Sequence, residues 1–103
     1  ARIACGVSYD SDLDHVERVV LEVVHEVKSK VEGADKNFEP SFIFINFGES
    51  SIDFRVSIGS NDYSGQWAVT HQFIKQLHKR FKEEGIEIPF PIRTLLMKGA
   101  EGD

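Results

Sequence analysis

Residues 5–31 read CGVSYDSDLDHVERVVLEVVHEVKSKV, and a change of period inside this stretch decides the fold. Ile3, Cys5, Val7 and Tyr9 alternate with Ala4, Gly6 and Ser8, the pattern of a strand with one apolar side. From Leu13 the spacing changes to threes and fours. Leu13, Val16, Val20, Val23, Val24, Val27 and Val31 then fall on one helical stripe. Asp10, Ser11 and Asp12 between the two halves are good N-cap residues, and Ser11 with Asp14 resembles a capping box built with the shorter acid. Valine is a poor helix former because its branched side chain loses rotamer freedom against the preceding turn. Each valine forfeits less than about 0.7 kcal/mol of propensity, whereas burying one returns about 1.5–3 kcal/mol. The helix is therefore expected to be weak alone and firm when docked on a sheet.

The rest of the chain supplies that sheet. Gly33 is a natural stop for the helix, and Ala34 to Ser41 reads as a polar loop. Phe42 to Phe47 reads as a strand, residues 48–50 as a short reversal, and Ser51 to Ile58 as a second strand. In the latter Ile52, Phe54, Val56 and Ile58 point one way, and Asp53, Arg55 and Ser57 the other. Tyr63 to Glu84 is helical again, capped by Asn61 or Asp62 and ended by Gly85. Trp67, Thr70, Phe73, Ile74, Leu77 and Phe81 are expected to share its buried face. Ile86 to Leu96 reads as a fourth strand, placed on a sheet edge because Pro89 and Pro91 cannot donate to a ladder. The order β-α-β-β-α-β predicts an α+β, ferredoxin-like sandwich. It has a four-stranded antiparallel sheet, the second and fourth strands at its edges, and two helices on one face. Residues 1–98 form the expected domain and residues 99–103 a flexible tail.

One strand does not fit an isolated domain. The second strand is apolar on both sides, Phe42 and Phe44 on one and Ile43, Ile45 and Phe47 on the other. Helices can cover one side only, and an exposed apolar edge strand invites association. Either a protein partner, most simply another copy, covers the far side, or the loop before it folds over through Phe38.

Bulk composition narrows the function. The 103 residues suffice for one core and not for two. With 41% hydrophobic and 28% charged residues the chain should fold. A net charge of −5 disfavours nucleic acid and anionic membrane surfaces as partners. The single cysteine, Cys5, excludes an internal disulfide and a paired-cysteine metal motif, and its place on a strand's inner side reads as a buried, inert thiol. No signal peptide is expected from these residues, and no apolar run among them approaches the ~20 residues of a membrane span. The chain starts almost inside its first strand, which suggests a domain taken from a longer protein.

The sequence predicts no reactive constellation. His71 and His78 lie seven helical residues apart, about 10 Å at 1.5 Å per residue, too far to share a zinc ion. His15 and His25 sit on the polar side of the first helix. Asp10, Asp12 and Asp14 read as cap and first-turn acids, since a calcium loop needs more oxygen ligands and a central glycine. Their acidity also argues against an acylphosphatase-type phosphate loop, which needs free amides and basic groups. An RNA-recognition module would need exposed aromatics and a basic-Gly-aromatic motif on the third strand, which reads SIDFRVSI. No catalytic, cofactor-binding or metal-binding residue is predicted, no cofactor is expected, and the chain is not expected to be an enzyme.

Three segments in order carry a family resemblance: Gly6 to Leu13 (GVSYDSDL), Phe47 to Phe54 (FGESSIDF) and Gly85 to Thr94 (GIEIPFPIRT), with Asn61-Asp62-Tyr63 as a weaker fourth. Together they resemble the C-terminal cytoplasmic α/β domain of the small-conductance mechanosensitive channel (MscS) family. The resemblance implies a domain that follows transmembrane helices and a small β domain. Seven copies would form a hollow cage on the cytoplasmic side of the inner membrane, with side openings for solutes in osmotic stress. The family's chain then enters a small barrel. The tail from Gly99 does not resemble that strand. The function implied is a non-catalytic, homo-oligomeric (heptameric) assembly domain without a pore of its own. The alternative is a ferredoxin-like regulatory module that binds a small ligand, for which Gly6 and Gly48 are the only hint.

Overall fold

A computed structural model describes residues 1–89. Strand β1 (Arg2–Val7) leads into helix α1 (Leu13–Lys30). Strands β2 (Ser41–Phe47) and β3 (Ile52–Ser57) form a hairpin, and helix α2 (Tyr63–Glu84) follows. The sheet has the order β1-β3-β2 with both pairings antiparallel, so β3, the strand of cleanest alternation, is central. Both helices pack on one face. Val7, Ile52, Phe54 and Val56 from the sheet meet the valines of α1 and Val69, Phe73, Leu77 and Phe81 of α2 in one buried core.

The first helix forms and buries the middle of its predicted stripe, with Val19 added, while Leu13 is half-buried and Val31 lies just past the helix end. Val16, Val19, Val20, Val23, Val24 and Val27 are all buried. Asp12, rather than Ser11, is the cap, its Oδ1 accepting from the amides of Asp14 at 3.1 Å and His15 at 3.3 Å. The expected stop at Gly33 is displaced. Val31 already leaves helical geometry at φ −85° and ψ 128°. Gly33 serves close packing instead: a Cβ there would lie 2.6 Å from the Gly65 Cα, so the loop after α1 rests on the first turn of α2. Asp62 caps α2 by accepting from the Gly65 amide at 2.7 Å. Gly85 ends it at φ 72°, the left-handed conformation glycine tolerates, and the Ile86 amide donates back to the Phe81 carbonyl at 2.9 Å.

Two expectations are corrected. The sheet has three strands among the described residues, not four. Ile86 spends its amide on the end of α2 and its side chain in the core, so residues 86–89 form no strand. The stretch after α2 meets the first strand's exit where the Ser8 amide donates to the Glu87 carbonyl at 2.9 Å. The remainder of the predicted fourth strand, the boundary at 98 and the tail at 99–103 lie outside the described residues.

The second correction concerns α2. Its buried line is Gly65, Val69, Phe73, Leu77 and Phe81, spaced by fours, whereas Trp67 and Ile74 are 57% and 54% exposed. The small Gly65 lets α2 approach the loop after α1, and Trp67, two residues on, faces outward beside Tyr63.

Candidate functional site

The motif segments meet at one end of the sheet. Tyr9 lies past the end of β1, and its ring stacks on Phe47 at 6.4 Å between centroids and 3° between planes. The Tyr9 hydroxyl donates to the Gly48 carbonyl. Gly48 closes the hairpin through its amide, which donates to the Ser51 carbonyl at 2.6 Å. The Ser51 hydroxyl donates to Asp53 at 2.6 Å, and the Asn46 amide reaches the other Asp53 oxygen at 3.4 Å. The space at Gly6 and Gly48 is filled by neighbouring side chains: a Cβ on Gly6 would meet Ser51 Oγ at 2.7 Å and Asp53 Oδ1 at 2.8 Å. The two glycines make room for this polar cluster, and Glu87 closes the third segment onto the first. The arrangement is a structural corner whose polar groups serve one another.

A bulge reshapes the strand next to it. Phe42 and Phe44 oppose Val56 and Phe54 of β3, but Ile45 has no partner, and Asn46 and Phe47 oppose Asp53 and Ile52. Residues paired across strands share a face. Phe47 therefore stands on the helix side of the sheet, not beside Ile43 as strict alternation predicts, because one inserted residue reverses every later side chain. It lies at the end of the sheet, beyond the helices' cover, and is 78% exposed. Phe42 and Phe44 pack against the core, while Ile43 and Ile45 remain 53% and 44% exposed. The loop before β2 does not cover them; Phe38 packs on Gly59 instead.

A second exposed apolar area was missed by periodicity. Between the C-terminal half of α1 and the first half of α2 lies a groove of about 550 Å³, its apolar lining Val27, Val31, Trp67 and Ala68 and its ionisable lining Glu26, Lys30, Glu32 and His71. The signal that could have found it is the line of fours from Gly65, which fills the buried face and leaves Trp67 outside it.

A few titratable groups tie the two helices to each other. At the other end of the helix pair, Arg80 of α2 donates to Glu22 of α1 at 2.7 Å and to Glu84 at 3.3 Å, and His15 of α1 lies 2.9 Å from Glu84. The His15 hydrogen bond, and after it Arg80, hold the Glu84 carboxyl below its ordinary range. Burial pushes the Cys5 thiol up to about 11, so it is a thiol and not a thiolate at neutral pH. Asp12 is a cap; Asp10, Asp14, His25, His71 and His78 are exposed. Among the described residues no three His, Cys, Asp or Glu side chains come together as a metal site, and no helix is long and apolar enough to cross a membrane.

Known proteins share both sequence and fold. The family described as "Mechanosensitive ion channel MscS, C-terminal" matches residues 1–88. A small-conductance mechanosensitive channel of Helicobacter pylori is 33% identical over 98 residues, 94% of this chain and 34% of the relative. An uncharacterised MscS family protein of Synechocystis is 34% identical over 97 residues, 90% of this chain and 30% of the relative. The crystal structure of Helicobacter pylori MscS in a closed state superposes with a TM-score of 0.67 at 28% identity, over 96% of this chain and 38% of that one. An Arabidopsis thaliana MSL1 variant shares the fold, with a TM-score of 0.64 at 12% identity over 88% of this chain and 35% of that one. The chain thus spans about a third of the length of these relatives. With the family match running through β1, both helices, the hairpin and the Glu87 contact, this chain belongs to the MscS family of mechanosensitive channels and corresponds to its C-terminal domain.

Proposed function

We propose that this domain is a non-catalytic assembly module of a mechanosensitive channel subunit, on the cytoplasmic side of the inner membrane. There it packs with further copies, seven in the complete channel, into a cage below the pore. The cage shapes the path of solutes released in osmotic stress. The observation that carries the reading is β2: in a chain of a channel family, the sheet face turned away from the helices exposes Ile43 and Ile45 on an edge strand. Exposed aliphatic side chains on such an edge are stabilised when a partner removes them from water. The net charge of −5 would favour cations over anions near such a wall.

The test uses the full-length parent protein in bacteria lacking their own mechanosensitive channels. Tension-activated currents, survival of osmotic downshock and a native mass of seven subunits are expected. Replacing Ile43 and Ile45 together by lysine should lower the yield of complete assemblies. A parent that conducts nothing under tension, or that assembles equally well with both lysines, would sink the proposal.

A further inference from the structure

The two exposed apolar areas differ in shape and charge. The first is flat: Ile43 and Ile45 on β2, with Arg55 opposite Ile43 on β3 and also exposed. Arg55 and the neighbouring Arg2 have no carboxylate within 4 Å among the described residues. The second is the concave groove beside Trp67. There Glu26 is paired with Lys30 at 3.0 Å, whereas Glu32 has no cation within 4 Å among the described residues. One area thus offers two aliphatic side chains and two arginines without a carboxylate partner among the described residues. The other offers an aromatic-walled hollow and a spare negative charge.

Ring symmetry gives this mismatch a use. Identical subunits in a closed ring of odd number meet head to tail, each giving one surface and receiving with a different one. A self-complementary patch would instead stop at pairs. Trp is also the residue type most enriched where binding energy concentrates. We infer that the open face of β2 on one copy seats in the α1–α2 groove of the next copy, Ile43 and Ile45 against Trp67 and Arg55 toward Glu32. The inference rests on the cage reading for the identity of the partner as a second copy. The contact is between side chains and leaves the strand edge unpaired.

Cysteine cross-linking in the full-length parent protein, in its membrane and with Cys5 and any other native cysteine removed, tests the contact. Under mild oxidation, Ile43→Cys with Trp67→Cys should give a ladder of covalent oligomers, and each single variant should stay monomeric on a denaturing gel. Arg55→Glu should lower the ladder yield several-fold, and Glu32→Arg added to it should restore the yield. Ile45→Cys with Ala68→Cys provides a second pair should the first fold poorly. No ladder from either pair in a preparation whose native mass shows a complete ring overturns the inference and leaves the proposed function standing. Dimers from Ile43→Cys alone overturn it by showing β2 against β2. Absence of any ring overturns both readings.

Discussion

The two helices lie on the same sheet face, yet they show their apolar residues differently. In α1 every valine from Val16 to Val27 is buried. In α2 a single line spaced by fours is buried, while Trp67 and Ile74, equally apolar, face water. The difference teaches that a stripe's width is set by the neighbours available. Helix α1 is covered widely enough to bury positions three and four apart. Helix α2 is drawn in along one line by Gly65 and leaves its flank open.

The largest effect should come from Val24→Asp. It places an unpaired carboxylate on the fully buried stripe of α1, and the domain should lose its cooperative thermal transition in circular dichroism. A native-like melt would break the assignment of that face. Within α2, Phe73→Ala should cost about 3–5 kcal/mol in urea unfolding, whereas its neighbour Ile74→Ala should change stability by less than about 0.5 kcal/mol. Equal losses at 73 and 74 would restore the broader stripe that the sequence suggests. Gly65→Ala sharpens the cause. Alanine gains about 1 kcal/mol of helix propensity, but its Cβ would stand 2.7 Å from the Gly33 carbonyl oxygen, a backbone atom. Overpacking of this kind costs about 1–3 kcal/mol, so a net loss is expected. A gain in stability would mean that the helices are not pinned there.

The smallest effect is electrostatic and depends on pH. Glu84 joins both helices through His15 and Arg80, and its carboxyl is held below the ordinary range first by the His15 hydrogen bond. A carboxylate with a lowered folded value adds stability above its unfolded value, about 4.3, and loses it as pH falls through the folded one. Glu84→Gln should therefore melt below the parent at pH 7, and the gap should close under acid. A gap that persists at pH 2 would assign the effect to packing.

Much of this was legible in the residues. The strand-to-helix switch at Asp12, the hairpin and the Gly85 stop follow from local chemistry alone: a carboxylate cap, a period of two, and a glycine able to take positive φ. The α+β plan and the family resemblance hold, as the match over residues 1–88 shows. What failed depended on contacts between distant segments. Gly33 reads as a stop because nothing near it in sequence reveals Gly65. Phe47 reads as a partner of Ile43 because a bulge leaves no mark in an apolar run. The predicted fourth strand reduces to one bond from Ser8 to Glu87 among the described residues, because Ile86 is claimed by the helix end. The line of fours in α2, and with it the groove beside Trp67, stands in the sequence but outweighs the broader stripe only once Gly65 is seen against Gly33.

The bulge at Ile45 also limits what can join the chain from outside. A foreign strand adding to the side of β2 that no other strand occupies among the described residues would find regular pairing only from Ser41 to Phe44, because the backbone changes step where Ile45 stands unmatched. A bulge of this kind turns an edge away from a regular partner and blunts it as a template for a further strand. The domain can therefore display bare isoleucines to a chosen neighbour while its backbone resists fibrous runaway polymerisation.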